Sequence, residues 1–414
     1  MQRAEIRDAG RVAGTTLGGG VEVVRDVHLG VADRVFGLVG TPAEPVRAMH
    51  DGISRAVYAT VTGVGRWGPK LGAAVAALAV PESGPSWSAG RAGNVALGAL
   101  NGLWGDRLAD RDNALGLAMT VRHDHADVPI TTPGLAGAFP QPTGRIVVFV
   151  HGLCETEDAW FPSERKQVND AAFAYGPRLA ADAGYTPVYL RYNTGRHVSD
   201  NGATLSALLD ELVAVWPVEV AEVSLVGHSM GGLVLRSATH QGDQHGAAWV
   251  ERAWHVFCLG TPHLGAPLER GANALAHALR LLPETEPVAG VINGRSAGIK
   301  DLRYGALVED DWRGIDPDEF LTDRCNEVPF VAHVSYYFVG VTVTRSPRHP
   351  VGWLVGDLLV QFSSASGRGR RRQLPFDVDK GHHVGGLHHL DLLAHPAVYD
   401  QLAHWLDPAV VAPT

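Results

Sequence analysis

Near the middle of the chain, Val223-Ser224-Leu225-Val226 runs into Gly227-His228-Ser229-Met230-Gly231-Gly232, and an apolar helical pattern takes over at Leu233. A β-rich run, a glycine-flanked serine and a helix, in that order, leave few architectures open. The turn is too sharp for side chains at its flanks. Gly227 and Gly231 remove those clashes, and Gly232 lets the following helix lie close on a sheet. The arrangement lifts the Ser229 hydroxyl above the strand end and aims the backbone N–H of Met230 at the same point, where an oxyanion would form. With 49 glycines in 414 residues the bare five-residue pattern is cheap; the strand before it and the helix after it give it meaning.

The neighbouring sequence supplies a sheet for this turn. Arg145-Ile146-Val147-Val148-Phe149-Val150 is continuously apolar after its first residue, as a strand buried on both faces must be. Thr186 to Tyr192 and Trp254 to Gly260 are further strands, with helical patterns over Pro177 to Gly184 and Asn201 to Trp216 between them. Alternation of strand and helix from 145 to 260 predicts an α/β fold with a mostly parallel, doubly wound sheet. Residues 266 to about 328 break the alternation and read as a cap or lid inserted over the strand ends. A β-rich strand follows over Val331 to Thr344. The catalytic unit is expected over 114–414, behind an N-terminal helical region over 1–113.

That first region carries no catalytic motif. Val24, Val27, Val31, Val35 and Leu38 recur at helical spacing. Thr41-Pro42-Ala43-Glu44 reads as a helix start, followed by a face of Val46, Met49, Ile53, Val57, Val61 and Val64. A third helix is expected after Pro69 and a fourth within Ser88 to Leu108. The stripes must be covered, either by the catalytic domain or by a lipid surface; few lysines or arginines flank them, which favours the former. His123 and His125, alternating with Asp124 and Asp127, read as solvated hairpin residues.

Composition closes off several classes. A formal charge of −9 gives no reason to expect nucleic acid as a partner. Three cysteines (Cys154, Cys258, Cys325) show no spaced metal pattern and read as reduced thiols, so a cytoplasmic location is expected, with membrane-peripheral contact left open. The start, Met1 to Asp8, lacks an apolar core of a secretory signal. The most apolar run, Leu71 to Val80, is too short to span a bilayer.

A serine of ordinary acidity needs a base, and the base needs an orienting carboxylate. In this fold class they follow in the order serine, acid, histidine. Asp357 is the first acidic residue after the 331–344 strand, with Asp377 and Asp379 as alternatives. Before the last helix, Pro396 to Trp405, stand His382, His383, His388, His389 and His395; His395 reads as a helix-cap residue, leaving His388 and His389. His151-Gly152-Leu153 at the end of the first long strand is where a second oxyanion donor belongs, assigned to the Leu153 N–H, with His151 buttressing the loop. Trp160 and Phe161 are candidates to line the acyl entrance. Arg368-Gly369-Arg370-Arg371-Arg372 reads as a solvated basic loop.

Taken together, these motifs resemble an α/β-hydrolase of the bacterial lipase/esterase group, in the style of triacylglycerol lipases and the lipase-like proteins related to GPI-inositol deacylases. The resemblance rests on His151-Gly152-Leu153, the 227–232 elbow, Gly260-Thr261-Pro262-His263-Leu264-Gly265, Asp357 before Ser363-Ser364, and His389-Leu390-Asp391, and it covers about 145 to 407. It selects His389 over His388 as the base. It implies a serine ester hydrolase acting on lipid-like carboxylic esters, with acyl transfer, thioester or amide cleavage as the same chemistry, and no organic cofactor. A lipid-surface binding protein acting through the N-terminal helices is the rival from another class. Some lipases of the group hold a structural calcium through the Asp two residues after the base; Asp391 occupies that position without an identified second carboxylate.

Overall fold

The computed structural model describes residues 1–39, 44–81, 86–111, 113–161, 173–320, 325–370 and 372–406. Its centre is an eight-stranded sheet. The strands are β1 (Thr120–His123), β2 (Ala126–Val128), β3 (Arg145–Val150), β4 (Thr186–Arg191), β5 (Glu222–His228), β6 (Ala253–Leu259), β7 (Ser335–Thr342) and β8 (Gly381–Gly385). They lie in the order β2-β1-β4-β3-β5-β6-β7-β8. From β4 to β8 every neighbour is parallel, while β1 joins β4 antiparallel and turns back into β2. This is the mostly parallel α/β sheet that the strand–helix alternation predicts, in the α/β-hydrolase arrangement that the resemblance implies.

The apolar run of β3 is explained by what covers it. Successive side chains point to opposite faces, so Ile146, Val148 and Val150 join one core and Val147 and Phe149 the other. The first core lies under α6 (Val198–Val215) and α7 (Met230–His245); the second lies under α5 (Tyr175–Ala183) and the last helix (Pro396–Trp405).

Before the sheet come α1 (Arg3–Val39), α2 (Glu44–Leu78), α3 (Arg91–Ala109) and the short α4 (Thr132–Ala138). Two expectations for this region need correction. The proposed break at Pro69 is absent: α2 runs through it. There α1 approaches so closely that a Cβ on Gly10 would sit 2.7 Å from the Pro69 carbonyl oxygen, and that packing outweighs the local penalty of proline. Second, the valine stripes are not covered by the catalytic domain. α1 and α2 form an antiparallel hairpin whose Val24, Val31, Val35, Ile53, Val57 and Val64 are all exposed. The proposed helix start at Thr41-Pro42-Ala43 lies outside the described residues, although α2 is in place from Glu44.

After β6 the chain leaves the sheet as α8 (Pro267–Leu279), α9 (Glu286–Asn293) and α10 (Ala297–Asp301), within the segment expected to be a cap. α11 (Pro350–Val355) and α12 (Phe362–Ala365) follow β7, and α13 (Pro396–Trp405) closes the chain. The His123-Asp124-His125-Ala126 stretch forms the β1–β2 hairpin, with φ of 46° at Asp124 and 61° at His125. No described helix is long and apolar enough to cross a membrane.

Candidate active site

At the end of β5 the backbone turns so sharply that Ser229 takes φ 53°, ψ −122°, a left-handed conformation that costs a non-glycine residue on the order of 1–3 kcal/mol. Close packing enforces it. A Cβ on Gly231 would sit 2.3 Å from the Val150 carbonyl oxygen, and one on Gly232 2.0 Å from Thr261 Oγ1. The Ser229 N–H donates to the Leu259 carbonyl at 2.8 Å, tying the elbow to the neighbouring strand end.

Over that strand end lies His389. A Cβ on Gly260 would come within 3.0 Å of its ring. His389 Nδ1 is 2.7 Å from Asp357 Oδ2, and both side chains are buried. Since a carboxylate only accepts, Nδ1 carries a proton, and Nε2 is the ring nitrogen left to exchange one. Nε2 is buried with no hydrogen-bond partner among the described residues. The Asp357 carboxylate is itself fixed: Oδ1 accepts from the Leu359 and Val360 N–H groups at 3.0 and 2.7 Å, and the Asp357 carbonyl accepts from the His389 N–H at 3.1 Å. Of the histidine pair, His388 faces away from this carboxylate, bonding Asp391 at 3.1 Å from Nε2 and 3.0 Å from its backbone N–H. The Asp391 carboxylate therefore holds the loop before α13. His395 caps that helix, its Nδ1 accepting from the Ala397 N–H.

The loop after β3 is rigidly held. His151 is fully buried, its Nδ1–H donating to the Gly152 carbonyl and its Nε2 accepting from the Tyr192 N–H at 3.3 Å; burial lowers its pKa and keeps it neutral. Gly152 N–H donates to Glu155 Oε2 at 2.7 Å, and Cys154 N–H to Thr194 Oγ1 at 3.2 Å. Leu153 sits between these two anchored amides.

Sequence reasoning missed two features here. The first is Glu155, whose Oε2 also lies 3.0 Å from His228 Nδ1, while His228 Nε2 is 3.3 Å from the His389 carbonyl. Both ring nitrogens of His228 face acceptors, an arrangement that favours the imidazolium form. Burial alone would lower its pKa; the Glu155 carboxylate outweighs burial and raises it. Burial would likewise raise Glu155, and His228 pulls it below the ordinary carboxylate range instead. The Gly-His-Ser spacing gave a signal for His228, but nothing in the sequence pairs it with Glu155. The second is α3, which lies against the same loop: a Cβ on Gly98 would sit 2.8 Å from the Glu155 carbonyl oxygen, and one on Gly102 2.2 Å from Cys154 Sγ. Asn94 adds a 2.8 Å bond to Asp158.

The two aromatic candidates separate. Trp160 is 1% exposed and packs among Phe149, Tyr175 and His228, so it belongs to the core and not to an entrance. Phe161 is exposed and borders a cavity of about 290 Å³ with Leu390 and Leu393. On the other side of the acid, Leu358 and Leu359 join Leu268 and Leu275 of α8 and Leu354 of α11 in an apolar groove of about 600 Å³. Of the basic run, Arg371 lies outside the described residues, and Arg372 bonds Glu327 and the Tyr304 carbonyl. Among the described residues, the one group of three side chains spaced to hold a metal is His125, Glu157 and Asp158; it does not include Asp391, and Glu157 is already engaged by Arg122 at 2.7 Å.

Residues 141–313 match the family model described as a PGAP1-like alpha/beta domain, a span that contains Leu153, Ser229 and Met230. No curated protein matches the chain. Solved structures similar to it include the mature form of the lipase BlEst2 of Bacillus licheniformis, at 19% identity over 64% of this chain and 94% of that one, with a TM-score of 0.42. The RedJ thioesterase of the prodiginine pathway of Streptomyces coelicolor is 17% identical over 66% of this chain and 98% of that one, TM-score 0.33. Naproxen esterase of Bacillus subtilis is 13% identical over 64% and 84%, TM-score 0.34.

Proposed function

Starting from an α/β-hydrolase of the lipase/esterase group, we propose that this chain is a serine ester hydrolase working through an acyl-enzyme. Ser229 attacks the ester carbonyl. His389 Nε2 takes the serine proton and returns it to the departing alcohol; Asp357 fixes the tautomer and stabilises the imidazolium. The N–H groups of Met230 and Leu153 receive the oxyanion, and water then cleaves the acyl-enzyme with the same base. No organic cofactor enters this chemistry.

The observation that carries the reading is the buried 2.7 Å Asp357–His389 bond, which leaves Nε2 without a partner among the described residues, over the strand end to which the strained serine turn is tied. An apolar acyl substrate is supported by the groove beside Asp357: its lining is aliphatic, and Leu268, Leu275, Leu354 and Leu358 are each at least half exposed. Such a rim suits an apolar acyl chain and peripheral contact of the site mouth with lipid.

The test is a p-nitrophenyl ester series of increasing acyl length, with the Ser229→Ala variant as control. The expected result is Ser229-dependent hydrolysis with kcat/KM rising with chain length. Hydrolysis unaffected by the Ser229 change would refute the assignment.

A further inference from the structure

We infer that His125, Glu157 and Asp158 form a binding site for a divalent metal ion, zinc by the chemistry of its donors, which fastens the β1–β2 hairpin to the segment that follows the loop after β3.

Local structure brings the three side chains together. His125 stands at the tip of the hairpin, where the left-handed backbone turns β1 back into β2. Glu157 and Asp158 open the 3₁₀ turn Glu157–Trp160, a few residues beyond Leu153. One ligand atom from each of the three lies within 4.8 Å of the others. At Zn–N and Zn–O lengths of about 2.0–2.2 Å, donors on one tetrahedral ion stand about 3.3 Å apart. His125 Nδ1 is already 3.2 Å from Asp158 Oδ1. The rest of the closure is about an ångström, at a hairpin tip whose His125 side chain is 47% exposed.

Three observations point to a cation there. First, the Glu157 side chain is buried, and its Oε2 has no hydrogen-bond partner among the described residues. A carboxylate oxygen withdrawn from water in this way is costly unless something positive meets it. Glu269 and Glu284 also keep a buried oxygen of this kind, but neither belongs to a described group of three ligand atoms. Second, each carboxylate is held by its other oxygen. Glu157 Oε1 accepts from Arg122 Nε at 2.7 Å, and Asp158 Oδ2 accepts from Asn94 Nδ2 at 2.8 Å. Outer partners orient metal-binding carboxylates in this manner, leaving one oxygen of each for the ion. Third, all three side chains line one cavity of about 630 Å³, with room for the water that completes four-fold coordination. Charge agrees. The ion-pair cluster sets three carboxylates, Asp127, Glu157 and Asp158, against two guanidiniums, Arg122 and Arg191, so one negative charge is in excess. One imidazole with two carboxylates suits zinc, whereas calcium and magnesium take oxygen ligands.

The experiment titrates the full-length protein, stripped with EDTA and desalted, with zinc chloride in a calorimeter. Beside wild type stand His125→Asn, Glu157→Gln and, as a neighbouring imidazole outside the group, His123→Asn. Asparagine tolerates the left-handed backbone at position 125, so the exposed His125→Asn variant keeps the test readable even where Glu157→Gln loses stability; circular dichroism checks the fold of each. Wild type and His123→Asn are expected to bind one zinc ion per chain and to gain Tm on binding. His125→Asn and Glu157→Gln are expected to bind at least about 100-fold more weakly, since loss of an outer partner alone costs about 10–100-fold, and to gain no Tm. A wild type without a stoichiometric site overturns the inference, as does a site that survives His125→Asn or one lost equally in His123→Asn. So does calcium bound as tightly as zinc, because an imidazole ligand does not suit it.

Discussion

Glu155 and His228 form an ion pair, 3.0 Å from Oε2 to Nδ1, that joins the three loops of the candidate site. Through Gly152 it grips the turn after β3, through the His228 backbone the serine elbow, and through the His389 carbonyl the loop that carries the base. Glu155→Gln keeps the shape and removes the charge. It should cost about 2 kcal/mol of stability near neutral pH and lower kcat at least tenfold with little change in KM, since small misplacements of catalytic groups are costly. Urea unfolding and steady-state kinetics check both; unchanged kcat would show that the pair is merely structural.

The same pair sets a pH dependence. The depressed Glu155 contributes stability that is lost as pH falls through its folded pKa; the raised His228 contributes stability that is lost as pH rises through its own. The stability gap between wild type and Glu155→Gln should therefore be widest between the ordinary carboxylate and imidazole ranges and shrink on either side. A gap constant from pH 4 to pH 9 would contradict this.

Ser229→Ala should abolish esterase activity and leave the fold intact. The hydroxyl packs against little, and loss of the nucleophile in a serine hydrolase costs about 10⁶-fold. A purified variant retaining several per cent of the wild-type rate would remove Ser229 from the mechanism.

His389→Ala should match that loss, while His388→Ala should retain most activity and lose some thermal stability through its bond to Asp391. Measuring the two at one pH separates them, and comparable losses in kcat would count against His389 as the base.

Truncation distinguishes the helices. Removing residues 1–110 takes away α3, whose Gly98 and Gly102 lie on the Cys154–Glu155 backbone, and should yield aggregated or inactive protein. Removing 1–80 takes the hairpin alone and should leave most hydrolysis of short soluble esters. Full activity after loss of 1–110 would show that α3 does not support the site.

What the sequence disclosed follows from range. The elbow, the apolar run of β3 and the caps at His395 are local patterns, each written within a dozen residues, and the sheet follows from their alternation. Pairing Asp357 with His389 required the order of elements and the family resemblance, because 32 residues separate them. The Glu155–His228 pair spans 73 residues and α3 meets the loop from about 55 residues away, with no periodicity to announce either. Pro69 misled for the opposite reason: its local penalty is real, but packing against Gly10 overrides it. The valine stripes of the hairpin were legible as apolar faces; their exposure was not, since a pattern records that a face wants cover without saying which surface provides it.

Asp357 and His389 both follow β7, the seventh of eight strands. A ribosome that has released the elbow and the oxyanion loop has still to make more than a hundred residues before the proposed base exists. On this assignment the nascent chain lacks its base until residue 389 has been made, and any fragment ending before residue 389 carries the serine without it.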